Sequence, residues 1–418
     1  MQIKFINVLC AVFFIITSVF GDVSEGVKLN DKGVNSLNQQ DFVSAIYYLE
    51  LATKESPKNE IVIRNLINAY FGVSVQLAGQ NLMNDACNYG EKAYKLLPTD
   101  SSTIQSLSIL YYKKAADCFN KKQYSDSEKA LLRVQGLLND KSLPALIMLG
   151  KIAYNNQKLQ DAEKYWSDAL KLDPENNEIR ELIATIKKEG LTENKFSQVQ
   201  GDKFEIHYDQ NVVKGEIYDI RQHLMDCYRE VGQDFSYFPK HPVIVLLYSE
   251  NEFRGAFNVR SQVAGFYDGK IRLPVNYRKY PLSTLKQVLR HEYTHALIYD
   301  IAGSHIPIWL HEGLAVYEEK TTNANEANLI RNALRNNELF TFDELSLTNV
   351  WKINDNTFLA YAQAHAIVEY MVNRWGLYVI TQCINQCNSG SSFEYILNKN
   401  TNCTLDELDR SWKMKYSR

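Results

Sequence analysis

Cysteine is scarce in this 418-residue chain: seven residues, one of which, Cys10, lies in the amino-terminal apolar stretch. The other six, Cys87, Cys118, Cys227, Cys383, Cys387 and Cys403, are too few to frame a fold of this length with disulfides. Cys383, Cys387 and Cys403 cluster, which leaves open one bridge or a set of free buried thiols. An excess of charge of either sign is also missing. A net charge of −3 argues against nucleic acid as the main partner. Long apolar runs are absent except for Phe5 to Phe20, which is shorter than the roughly 18 residues that a spanning helix needs.

That run follows Lys4 and ends in Val19-Phe20-Gly21. A positive start, an apolar middle and moderate side chains before the cut predict a signal peptide over residues 1–21, leaving Asp22 as the new start. The expectation is an exported protein, periplasmic or extracellular, with no stable membrane span after cleavage. The length implies two or three domains, and the apolar and charged fractions are those of an ordinary globular protein.

Residues 22–190 read as helical, with a period in the mid-thirties. The clearest unit is Leu143–Asn176, with Leu149, Gly150, Ala153 and Tyr154 on one helix and Ala162, Trp166, Ala169 and Pro174 on the next. It resembles the tetratricopeptide repeat, two helices in about 34 residues. Gly33, Ala45, Leu49, Ala52 and Pro57 repeat the pattern. Ala86, Ala93 and Pro98 mark a third unit, with about seven extra residues between its helices. Ala115, Phe119, Ser127, Leu131 and Val134 mark a fourth. A closing helix is expected over Asn177–Lys188, ending at Gly190. Such an array binds a protein partner or acts as a spacer, and no charge stripe or aromatic ladder marks a binding face.

Residues 191–418 form the second part. Phe204, Ile206 and Tyr208 alternate with polar residues, which predicts a half-buried strand with His207 on the surface. Val243–Tyr248 is an apolar run of the kind found in central strands. Gly265–Pro274 predicts a hairpin with a two-residue Asp268-Gly269 turn. Pro274 cannot donate to a ladder, which puts its strand at an edge.

The stretch Gln287–Ile298 contains His291-Glu292-Tyr293-Thr294-His295, that is H-E-x-x-H, within an apolar run of helical period. Histidines four apart share one helix face, so both imidazoles can reach one metal ion. Glu292 stands beside that ion, placed to take a proton from water. Trp309-Leu310-His311-Glu312-Gly313-Leu314-Ala315 follows, with Gly303 ending the first helix and Pro307 opening the second. Glu312 then supplies a third ligand, and two histidines and a carboxylate leave one zinc position open for water. Gly313 and Ala315 are small enough for this helix to approach the first. His311 competes with Glu312 but points about 100° away on the same helix.

These two motifs resemble the gluzincin zinc peptidases, and Trp309–Ala315 is more narrowly similar to the peptidase MA-like domains of exported bacterial proteins. The likeness extends from about Phe204 to Gly376. It implies an α+β zincin-like domain after the all-α solenoid, with Zn2+ on His291, His295 and Glu312 and with Glu292 as general base. Some gluzincins steady a ligand histidine with an acidic residue one turn past the third ligand. That position here is Val316. In gluzincins an edge strand above the zinc pairs with extended substrate, and Ala264–Pro274 is expected to fill that role. Tyr361 and His365 share one face of a later helix, and either could donate to the oxyanion. The resulting expectation is a zinc metallopeptidase acting on a peptide or protein substrate. The alternative is a cell-envelope scaffold that binds partners through its repeats and has an idle metal domain.

Overall fold

A computed structural model of the chain describes residues 24–257, 264–276, 281–303, 305–320, 325–351, 357–387 and 391–417. The expected signal peptide over 1–21 lies outside the described residues. The chain divides into two compact units, 1–152 and 153–418.

In the first unit helices pair in sequence: α1 (Glu25–Asn38) with α2 (Phe42–Glu55), α3 (Glu60–Gly79) with α4 (Met83–Leu96), and α5 (Ser101–Asn120) with α6 (Tyr124–Leu137). Helix α7 (Leu143–Asn155) crosses the division. The small residues read from the sequence lie where helices touch. Ala45, Ala52, Ala86, Ala93 and Ala115 are fully buried, and a Cβ on Gly33 would come within 2.4 Å of Leu49. Ser127 Oγ donates to the Ala115 carbonyl at 2.8 Å. The extra residues of the third unit lengthen its first helix: α3 has 20 residues against 14 in α1. Helix α3 is long and apolar enough to cross a membrane, yet Val62, Leu66, Ile67 and Tyr70 are buried in the array.

The second unit takes the last repeat helix, α8 (Leu159–Leu172), and the closing helix, α9 (Asn177–Glu193), together with everything after them. Helix α9 runs through Gly190 to Glu193 instead of stopping there. The sheet comprises β1 (Ser197–Gln200), β2 (Phe204–Tyr208), β3 (Val243–Ser249), β4 (Phe266–Tyr267) and β5 (Ile271–Val275), in the order β1-β2-β3-β5-β4. The β2–β3 and β3–β5 pairs are parallel; β1 and β4 run antiparallel to their neighbours. Helix α10 (Ile217–Asp234) follows β2, and α11 (Glu250–Phe257) follows β3. As its apolar run predicts, β3 is central and buried.

Three expectations about the sheet change. The edge strand is β4, not the strand that carries Pro274. Strand β4 covers β5 only at Ile271 and Arg272, so Pro274 sits beyond that pairing, where a missing N–H breaks no bond to β4. The hairpin loop is three residues, Asp268–Lys270, with Gly269 at φ +103°, which a side chain would strain. His207 is not on the surface: only 14% of its side chain is exposed, and its Nε2 lies 2.8 Å from Glu205.

A buried ionic network joins α9 to β5. Arg272 is fully buried and donates through Nη1 to Glu193 (2.7 Å) and the Tyr248 hydroxyl (2.6 Å). Through Nη2 it reaches Glu189 (3.1 Å) and the Tyr154 hydroxyl (3.0 Å), and through Nε it reaches Asp268 (3.0 Å). Lys270, also buried, bonds Gln157 and lies 3.8 Å from the Tyr154 ring centroid. A guanidinium this deep persists because its donors find oxygen partners. Those partners sit at Glu189 and Glu193, on either side of Gly190, so carrying the helix past that glycine is rewarded.

The remaining helices are α12 (Leu282–Ala302), α13 (Ile308–Glu318), α14 (Glu326–Asn336), α15 (Phe342–Leu345), α16 (Thr357–Trp375), α17 (Leu377–Cys387), α18 (Phe393–Thr401) and α19 (Leu405–Tyr416). They share one core with the inner face of the sheet. Cys383, Cys387 and Cys403 are free and buried in it.

Candidate metal centre

Helix α12 ends at Gly303, at φ +59°, and Pro307 caps α13, as the sequence indicates. Leu285, Leu289, Ala296 and Leu297 bury the sides of α12 and hold it in the core. Arg290, one residue before the first histidine, donates to Glu230 on α10 and to Glu318 on α13, at 3.1 Å for the Glu318 carboxylate. Three helices are thereby tied together at the point where the site begins.

The side-chain tips of His291, His295 and Glu312 converge. His291 Nε2 and His295 Nε2 are 3.0 Å apart, and Glu312 Oε2 lies 3.4 Å from His295 Nε2 and 3.7 Å from His291 Nε2. A metal bound at about 2.0–2.1 Å in tetrahedral geometry separates its ligand atoms by about 3.3 Å. The observed spacings bracket that value, and the three residues form a group able to hold a metal ion. Glu312 Oε2 is buried with no hydrogen-bond partner among the described residues, as an atom reserved for a ligand would be.

Each imidazole is steadied from behind. His291 Nδ1 lies 2.8 Å from Glu319 Oε1, and His295 Nδ1 lies 2.7 Å from His311 Nδ1 with the two rings stacked. A histidine that presents Nε2 to a metal carries its proton on Nδ1, so Glu319 and His311 are the acceptors that select that tautomer. Glu292 is 4% exposed, and its Oε2 is buried with no hydrogen-bond partner among the described residues. Its Oε1 lies 3.3 Å from where a Cβ on Gly265 would stand, so the backbone leading into β4 runs beside this carboxylate.

Residues 239–417 match the family model described as the Peptidase MA superfamily. The chain carries a Peptidase MA superfamily domain. A tetratricopeptide repeat, matched over 144–176, precedes it. No curated protein matches the chain. The domain match begins later than Phe204 and runs past Gly376 through α19. A Peptidase MA domain suggests a peptidase with a peptide or protein substrate, and the repeat suggests protein interaction.

Electrostatics within the Peptidase MA domain separate its carboxylates. Burial alone would raise Glu312, but the two imidazoles overcome it and hold the group well below the usual carboxylate range. Burial raises Glu292, and His291 and His295 offset this only in part. One carboxylate is thus kept charged while its neighbour is held nearer to accepting a proton. Burial pushes His311 down to about 3, with His295 adding to the effect, which leaves it neutral and able to accept.

The structure separates the two oxyanion candidates. The Tyr361 ring centroid is 6.5 Å from that of His291 and packs against Trp351. Burial, with Glu312, Glu292 and Glu319 nearby, raises the phenol and keeps it a neutral donor. His365, one turn on, turns to Glu326 at 2.7 Å. Gly313 faces α16 rather than α12: its Cβ would come within 2.5 Å of the Ala364 carbonyl. One step along a helix turns a side chain about 100° from Glu312, which points it at a different neighbour. Glu319, which reading one turn past Glu312 misses, lies two turns past it. Seven residues return to nearly the same helix face, and that period is the signal that points to it.

Proposed function

We propose that this chain is an exported zinc-dependent metallopeptidase. The observation that carries this reading is the convergence of His291, His295 and Glu312 beside Glu292, whose buried carboxylate has an unpartnered oxygen. A scaffold gains nothing from a buried unpaired carboxylate, which costs free energy. A metal fits the three ligands, and zinc there would supply Lewis acidity and lower the pKa of water toward about 7.

The chain's own residues perform the remaining tasks. Glu292 Oε2 takes a proton from the attacking water and passes it to the leaving amine. The Tyr361 hydroxyl donates to the carbonyl oxygen as it gains negative charge. Strand β4, the sheet edge beside Glu292, pairs with the substrate backbone. The leader over 1–21 directs export, which mass analysis of the native protein checks: a mature chain beginning at Asp22 is expected.

Metal analysis combined with hydrolysis of an unfolded protein, with and without chelator, tests the reading. Stoichiometric zinc and chelator-sensitive hydrolysis are expected. Glu292→Gln should keep its zinc and lose turnover by about 10²–10⁴-fold. Undiminished hydrolysis in that variant would overturn the mechanism.

A further inference from the structure

A cavity of about 340 Å³ opens beside the metal centre, between the end of α13, α14 and the start of α16. It shares Glu319 and Tyr361 with the centre: Glu319 supports His291, and Tyr361 lies against the His291 ring. Its walls include Leu329, Phe358 and Ala362, and Phe358 is 73% exposed at the rim. Glu319 and Glu326 are its acidic groups. Resting on the peptidase reading above, we propose that this cavity binds a lysine or arginine side chain of the substrate, next to the bond that is cut.

The argument rests on shape and charge together. A basic side chain has an aliphatic stem that suits Leu329, Phe358 and Ala362, and a head that needs oxygen acceptors. The two carboxylates supply those acceptors. Among the described residues, Glu319 is bonded to His291 through Oε1. Glu326 faces His365 at 2.7 Å, also through Oε1, so each carboxylate has a second oxygen for a basic head group. Lysine and arginine are absent from the described lining residues. A purely apolar side chain would strip water from both carboxylates and replace it with nothing. An acidic one would be repelled.

The test compares peptides of otherwise neutral sequence that differ at one position, carrying lysine, its uncharged analogue norleucine, or glutamate. With the zinc-loaded full chain, cleavage mapped by mass spectrometry should fall beside the lysine, with kcat/KM at least about tenfold above norleucine. Glutamate should be the poorest of the three. Glu326→Gln should narrow the lysine-to-norleucine ratio several-fold. Binding of the same peptides to the zinc-loaded Glu292→Gln chain, read by calorimetry, should show the same order without turnover. Equal binding of lysine and norleucine there, or a ratio untouched by Glu326→Gln, overturns the assignment. Ordered binding with no cleavage of any peptide by the unmodified chain would overturn the peptidase reading and leave the basic-side-chain site standing.

Discussion

Glu319 supports His291 from two turns past Glu312, and its effect on zinc binding can be measured without any substrate. Removing the acceptor behind a ligand imidazole commonly weakens metal binding by about 10–100-fold. Glu319→Gln should show a loss of that size in competition with a zinc chelator. His365 offers a pH test. Burial would lower its value, but Glu326 at 2.7 Å raises it above 6.5. A histidine raised by folding contributes stability that is complete below about 6.5 and lost as pH climbs through the folded value. Glu326→Gln should therefore destabilise the chain more at about pH 5.5 than at about pH 8.5 in denaturant titrations. At this scale helical spacing reveals His291, Glu292 and His295, and Glu312, on the next helix, is legible only through the Trp309–Ala315 phrase. It does not reveal that His311 backs His295, or that Glu326 draws His365 away, because both contacts join separate helices.

Among the elements, the contact of α13 with α16 is the least forgiving. Gly313→Ala places a methyl group 2.5 Å from the Ala364 carbonyl, and overpacking of this kind costs about 1–3 kcal/mol. A lowered melting temperature is expected, along with weaker zinc binding, since Glu312 is the adjacent residue. Strand β4 gives a second test. Gly265→Ala would crowd Leu273 and the Arg272 carbonyl beside Glu292. Turnover should fall while zinc content, read by metal analysis, is kept. Elements with strong periods, such as β3 and α12, are legible in the chain itself. The length of α9 is not, because Gly190 carries a stop signal that the distant Arg272 overrides. The outer place of β4 is equally hidden, since two residues hold no period.

For the molecule as a whole, the buried charges around Arg272 decide what counts as one unit. Glu193→Ala would leave that guanidinium short of a carboxylate in a place water does not reach. Breaking a buried pair in this way costs about 3–5 kcal/mol. Calorimetry of the full chain should show the loss in the melting of the unit 153–418. The array and the metal-centre half are distinguishable by pattern, but the division at 152/153 is not, because α8 carries a repeat signature while it packs on α9, which is bonded to the sheet through Arg272. The same bonds limit how such a protein can change over generations. Hairpins can be gained or lost upstream of α7 with these bonds undisturbed, whereas Tyr154 and α9 are tied to the sheet and must be inherited with it.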